Sequence, residues 1–168
     1  MTDEEERRLR AEKLAQRGTR LLHVNKPQTA LPLLERARAL GLDSVDLALN
    51  LGAAYVLLGR FKQAVPILES ARDREPDNGM IWTNLGAAYL GNPVLASEAD
   101  QTRSIAAFEQ ALRVDPVAPN AAYNIALIYR DRRNLPETRR WLRRALQANP
   151  NDADAQRILE RLEKGEAR

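Results

Sequence analysis

Apolar residues recur along this chain at helical spacing and again at a long interval. Trp82, Leu85, Gly86 and Tyr89 stand at offsets of 0, 3, 4 and 7. At about 100° per residue these positions share one side of a helix. The same set occurs 34 residues earlier as Ala48, Leu51, Gly52 and Tyr55, and the letters NLGAAY are identical at Asn50–Tyr55 and Asn84–Tyr89. It returns 40 residues later as Ala122, Ile125, Ala126 and Tyr129, and a fainter copy precedes them all as Leu14, Arg17, Gly18 and Leu21. Each set is followed by a second amphipathic run. These runs carry Ala30, Leu34 and Ala37, then Ala64, Leu68 and Ala71, then Ile105, Phe108 and Ala111, and last Leu142 and Ala145. The pattern predicts helix pairs over residues 11–44, 45–78, 79–118 and 119–152.

Within each pair one small residue (Gly18, Gly52, Gly86 or Ala126) stands where a large side chain would hold two helices apart. Pro76, Pro116 and Pro150 fall where one pair ends and the next begins, as expected of a residue that stops helices. The stretches DPVAPN and NPND supply turn and N-cap residues for the next helix. Thr2 with Glu5 reads as a capping box, so residues 1–10 extend the first helix backwards. Residues 153–168 hold Ile158, Leu159 and Leu162 on one face and read as a terminal amphipathic helix with a tail. Pro32 and Pro66 occupy matching places inside the second helices. An interior proline costs about 3 kcal/mol, so either those helices start late or they are kinked.

The pattern W-x2-L-G-x2-Y, then A-x3-F, A and P, on a period of 34 residues resembles the tetratricopeptide repeat. The stretch 79–118 matches most fully and 45–78 nearly as well. The fourth copy departs with Ala126 and Thr138, and the first with Arg17. The resemblance implies an all-α fold: a right-handed superhelix of four helix-turn-helix pairs over 11–152 with a C-terminal capping helix. Stacked pairs need such a cap, because the last one otherwise exposes its apolar flank.

Function has to come from residues the fold does not consume. About 130° around each first helix from its packing stripe lies a second stripe. It reads Leu49, Ala53 and Val56 after Asp46; then Met80, Thr83, Ala87 and Leu90; then Tyr123, Leu127 and Arg130 after Asn120. Asn50, Asn84 and Asn124 run beside it. The resemblance implies that these stripes line a concave face, where the family holds a peptide or helix of a partner. A solvent face left unused would be rich in Glu, Lys and Arg, and a contiguous apolar patch marks an interaction site. The competing reading is that some of these residues only pack on neighbouring helices. The expected function is therefore a non-catalytic interaction module with a protein or peptide partner. Relatives that grip chaperone C-terminal carboxylates use a lysine and an asparagine on the first helix. Ala15 and Thr19 stand at those places here, which argues against that partner class.

Composition narrows the alternatives. The chain has 168 residues and no cysteine, so disulfides and thiolate metal sites are excluded. The only histidine, His23, stands beside a turn, and neither a phosphate loop nor a nucleophile motif occurs. No enzyme activity, cofactor or metal is expected. The charged start, MTDEEERRLR, has no apolar signal core, and no stretch of about 18 apolar residues is present to enter a membrane. A soluble, cytoplasmic chain is expected. Net charge is +3, but residues 119–152 carry seven arginines and a net charge of +4, while 79–118 are net −2. The cluster beside Trp141 suits a phosphate backbone or an acidic partner. Without a continuous basic track, salt-dependent binding of nucleic acid or of an acidic protein ranks below the groove reading. So does a homo-oligomeric assembly. The stretch Gly91–Gln101 accounts for the six extra residues of the third pair, and reads as a stretched turn or as a lip carrying Val94 and Leu95.

Overall fold

The computed structural model describes residues 2–165, which form α-helices joined by short turns, with no strand among them. Met1 and residues 166–168, the end of the expected tail, lie outside the described residues. The chain divides into two compact units, Met1–Pro76 and Asp77–Arg168. The division falls at the proline that ends the second predicted pair.

The first unit holds α1 (Asp3–His23), α2 (Pro27–Ala39), α3 (Val45–Leu57) and α4 (Phe61–Arg74). Its start is fixed locally. The Glu5 amide donates to Thr2 Oγ1 at 3.2 Å and the Thr2 amide donates to Glu5 Oε2 at 2.7 Å, which completes the capping box. Four acidic residues, Asp3 to Glu6, occupy the first turn, where the helix dipole favours negative charge. Pro27 opens α2 at a position that needs no amide hydrogen. Ser44 caps α3 by accepting from the Leu47 amide at 3.1 Å. α1 packs on α2, α3 packs on α4, and α3 also meets α2 and α1. The glycine positions make this contact close. A Cβ on Gly18 would lie 2.7 Å from Leu34, and one on Gly52 would run into Leu68. Leu34, Leu51 and Leu68 are fully buried there, each contributing about 1.5–3 kcal/mol by leaving water.

Pro32 and Pro66 do not fall in a first turn. Each is the sixth residue of its helix, and each helix continues through it. Both prolines are exposed, so the ring lies on the outer side. The carbonyls of Gln28 and Lys62, four residues back, lose their helical donors.

The second unit holds α5 (Gly79–Leu90), α6 (Glu98–Val114), α7 (Ala121–Asp131), α8 (Leu135–Ala148) and α9 (Ala153–Glu163). α5 packs on α6, α6 on α7, α7 on α8 and α8 on α9. Its core joins Phe108, Ile125, Ile128, Trp141 and Leu142 to Ala155 and Leu162 of α9, which therefore covers the end of the unit as a cap should. Gly86 is the tight point: a Cβ there would lie 2.7 Å from two ring carbons of Phe108. Ser104 adds a buried hydrogen bond, its hydroxyl donating to the Gly86 carbonyl at 2.7 Å. NPND behaves as read, with Asp152 accepting from the Asp154 and Ala155 amides at 3.1 and 3.0 Å. In DPVAPN, Asn120 stands at the cap position but is left-handed (φ 60°), and its side chain accepts no cap hydrogen bond.

Three turns within helix pairs close on a residue with positive φ: Asn25 (54°), Gly59 (69°) and Arg133 (57°). Between α5 and α6 the tight turn is replaced. Gly91 ends α5 at φ 62°, a loop follows, and α6 begins early at a Ser97–Asp100 capping box. The six extra residues are thus part loop and part helix. Arg132 braces the added helical turn. Its guanidinium donates to Gln101 Oε1 at 2.7 Å, to Thr102 Oγ1 at 2.8 Å and to the Glu98 carbonyl at 3.0 Å. Val94 and Leu95 at the loop tip are 90% and 80% exposed and do not fold back on the unit.

Candidate functional site

Each first helix has two jobs along its length. The 0, 3, 4, 7 stripe goes inward: Leu51, Gly52 and Tyr55 on α3, Leu85 and Gly86 on α5, and Ala122, Ile125 and Ala126 on α7 are buried. What remains on the flank is the second stripe, and the structure places its members unevenly. On α3, Leu49 is only 8% exposed and belongs to the core of the first unit. Asn50, Ala53 and Val56 are half-buried. On α5, Met80 stands out at 62% exposed, while Thr83, Asn84, Ala87 and Leu90 are half-buried. On α7, Tyr123, Asn124 and Leu127 are half-buried and Arg130 is exposed. Ala87, Leu90 and Tyr123 rest on the edge of the second unit's core, which fixes their exposed sides in place.

The polar groups of these stripes are partly committed. The amide nitrogen of Asn50 donates to the Asp46 carbonyl at 2.8 Å, and that of Asn84 to the Met80 carbonyl at 2.9 Å. Thr83 donates to the Gly79 carbonyl at 3.0 Å. These four-residue back-bonds hold each side chain against its own helix. They leave the amide oxygens of Asn50 and Asn84 without a donor among the described residues, and an amide carries two acceptor lone pairs. Arg130 reaches Asp131 at 3.4 Å, an exposed pair of little energetic weight. Tyr123 has its phenol pKa pushed up, first by burial and then by the nearby carboxylates of Asp154 and Asp152, so one edge of the α7 stripe faces the start of α9.

The loop tip stands out into solvent, with Val94 and Leu95 exposed. The core of the second unit includes neither Val94 nor Leu95. Thr19 turns back on the Ala15 carbonyl at 3.0 Å, so α1 offers no lysine and no free amide at the places a carboxylate clamp would need. Among the described residues no group of three or more His, Asp or Glu is placed to hold a metal ion, and no helix is long and apolar enough to cross a membrane.

Sequence reasoning treats the arginine run as a solvated face and does not foresee how it is built. Trp141 is 6% exposed, buried in the core of the second unit. Arg140 and Arg144 lie over its ring, with guanidinium carbons 5.7 and 5.6 Å from the centroid. Arg139 donates to the Leu162 carbonyl at 2.8 Å and Arg143 pairs with Glu163 at 3.0 Å, both tying α8 to α9. The signal available in the sequence is Trp141 itself, at helical spacing from Thr138, Leu142 and Ala145.

Two family models described as tetratricopeptide repeat match the chain, at residues 21–91 and 99–153. No curated protein gives a significant match. Among solved structures, YrrB, described as a TPR protein with an unusual peptide-binding site, is 22% identical and superposes with a TM-score of 0.72, over 89% of this chain and 74% of its own. MamA from Desulfovibrio magneticus is 18% identical with a TM-score of 0.72, over 99% of this chain and 87% of its own. The Cut9–Hcn1 hetero-tetramer of the APC/C is 21% identical with a TM-score of 0.77, over 90% of this chain but only 29% of the other. The repeated stripes, the glycines that let paired helices touch, and the two family matches together place this chain in the tetratricopeptide-repeat family.

Proposed function

We propose that this chain is a non-catalytic protein-interaction module in which each unit holds a partner segment on the second stripes of its own first helices. In the second unit these are Met80, Thr83, Asn84, Ala87 and Leu90 on α5, with Tyr123, Asn124, Leu127 and Arg130 on α7. In the first unit they are Asn50, Ala53 and Val56 on α3, with Leu49 supporting them from the core. Family members are in general interaction modules without catalysis. The peptide-binding site named for YrrB accords with this reading.

The observation that carries it is the state of the asparagines. Asn50 and Asn84 are fixed by their own helices yet keep an unused carbonyl beside half-buried apolar side chains. Apolar contact supplies affinity there, and the fixed amides supply direction to the backbone of a bound segment. The test pairs wild-type bait with a Met80→Glu, Leu127→Glu variant in pulldowns, after circular dichroism shows equal helix content. A specific band retained by wild type and lost by the variant supports the stripe. Equal retention by both baits refutes it. Light scattering over a range of concentrations reads self-association separately.

A further inference from the structure

The α8 face of the second unit holds a groove separate from the partner-binding stripes. It is lined by Pro116 and Val117 of the α6–α7 turn and by Arg140, Trp141, Arg143 and Arg144 of α8, and encloses about 570 Å³. A smaller cavity of about 190 Å³ adjoins it, sharing Pro116, Val117, Arg144 and Ala148; Leu112, Ala122 and Ala145 form the apolar part of its wall, and Tyr123 and Asn149 a polar part. A cavity of about 150 Å³ is enough to take a benzene ring.

The charges at the rim are unbalanced. Arg140 has a partner in Glu137 at 3.2 Å and Arg143 has Glu163 at 3.0 Å, in pairs open to solvent. Arg144 has no carboxylate partner among the described residues. Asp152 reaches the smaller cavity, but its Oδ1 is engaged by the first amides of α9. Two further features distinguish the groove from a solvated basic face. Trp141 lies under both Arg140 and Arg144, so the two guanidiniums converge over one ring while remaining open to solvent. The Trp141 indole N–H is buried and finds no acceptor among the described residues, and a buried donor left unmet is costly. Beside these, Val117 is 60% exposed at the groove edge.

We propose that this groove binds an acidic peptide segment of a protein partner, with carboxylates on Arg140 and Arg144 and one aliphatic or aromatic side chain against Val117 in the smaller cavity. The charge calls for an anion. Guanidiniums accept carboxylates in a two-point geometry. The wall that Leu112, Val117, Ala122 and Ala145 give the smaller cavity accepts an apolar side chain beside that anion, which a protein segment supplies and a bare phosphate backbone does not. The arginines stand on the second helix of the pair, and the smaller cavity borders the α7 stripe at Tyr123.

The probe is a short dye-labelled peptide alternating glutamate and leucine, read by fluorescence anisotropy at low salt. Wild type is expected to bind it, and Arg144→Glu with Arg140→Glu to weaken it at least about 10-fold. A peptide with glycine for leucine is expected to bind about 5-fold or more weakly, and Val117→Ser to abolish that difference. The Met80→Glu, Leu127→Glu variant is expected to bind like wild type, which separates this groove from the stripe. No binding, equal binding by the arginine variant, or equal binding of the glycine peptide overturns the proposal. Tighter binding of a single-stranded oligonucleotide than of the peptide overturns it in favour of nucleic acid.

Discussion

Replacing Gly86 with alanine sets two known effects against each other. Alanine is the better helix former by about 1 kcal/mol in a helix interior. Against it, the new Cβ would lie 2.7, 2.7 and 2.8 Å from three ring carbons of Phe108. Carbon atoms rest at about 3.5–4.0 Å, so the ring would have to retreat by nearly an ångström. It has little room, because Phe108 is fully buried and Ser104 ties α6 to the Gly86 carbonyl one turn away. Overpacking of this kind costs about 1–3 kcal/mol. The net expectation is a loss of up to about 2 kcal/mol, a fall in Tm of up to about 8 °C for a chain of this size. Melting followed by circular dichroism at 222 nm reads the effect, with guanidinium titration as the second measure. The decisive comparison is the background. In Phe108→Ala the obstacle is gone, and adding Gly86→Ala should then stabilise by up to about 1 kcal/mol. If Gly86→Ala raises Tm in the native background, or lowers it equally in both, the close approach of α5 and α6 is not what this glycine serves.

Other substitutions test other parts of the fold. Arg133, left-handed at φ 57°, should tolerate glycine with a gain of about 0.5–1 kcal/mol, read by chemical denaturation. Tyr55 donates to Glu35 at 2.7 Å, and burial followed by that hydrogen bond pushes its pKa from 10.0 to about 12. The protonated phenol is therefore favoured in the folded state. Its contribution of about 2–3 kcal/mol is complete below pH 10 and lost as pH rises towards 12. Tyr55→Phe should flatten stability over that interval, and an unchanged alkaline profile would refute the assignment. Leu49→Ala should cost about 2–5 kcal/mol as a core truncation, whereas Met80→Ala should stay within about 0.5 kcal/mol. Equal melting temperatures for the pair would show that the two stripe positions do not differ in burial.

The repeat is legible in the sequence because it rests on short-range rules. Period, packing stripe and small-residue positions all follow from helix geometry, and Thr2, Ser44 and Asp152 cap where local chemistry says they should. Leu49 reads as a free surface residue on a helical wheel because a wheel knows one neighbour. α3 meets α1 and α2 as well as α4, so more of its circumference is covered. Met80, in the first turn of α5, matches Asp46 in the repeat rather than Leu49 and is left in solvent. For Pro32 and Pro66 the intrinsic penalty argues for late starts or kinks; the helices begin before them, and packing of Ala30, Leu34, Ala64 and Leu68 outweighs two missing hydrogen bonds. The groove on α8 is out of reach for another reason. It depends on the α6–α7 turn, which is distant in sequence from Trp141, and no periodicity records such a meeting.

Arg132 has a consequence for how this chain can change. A repeat that gains six residues would ordinarily pass the shift on to everything after it. Here the added turn of α6 is gripped by a side chain from the next corner of the same unit, and α6 meets α5 and α7 in the usual order. The extra length is absorbed before Phe108 is reached. The tip at Val94 and Leu95 is thereby released from any duty to the fold. It is the place where this protein can lengthen, shorten or rewrite itself without disturbing its neighbours, and where an engineer could graft a foreign sequence while leaving the helices in register.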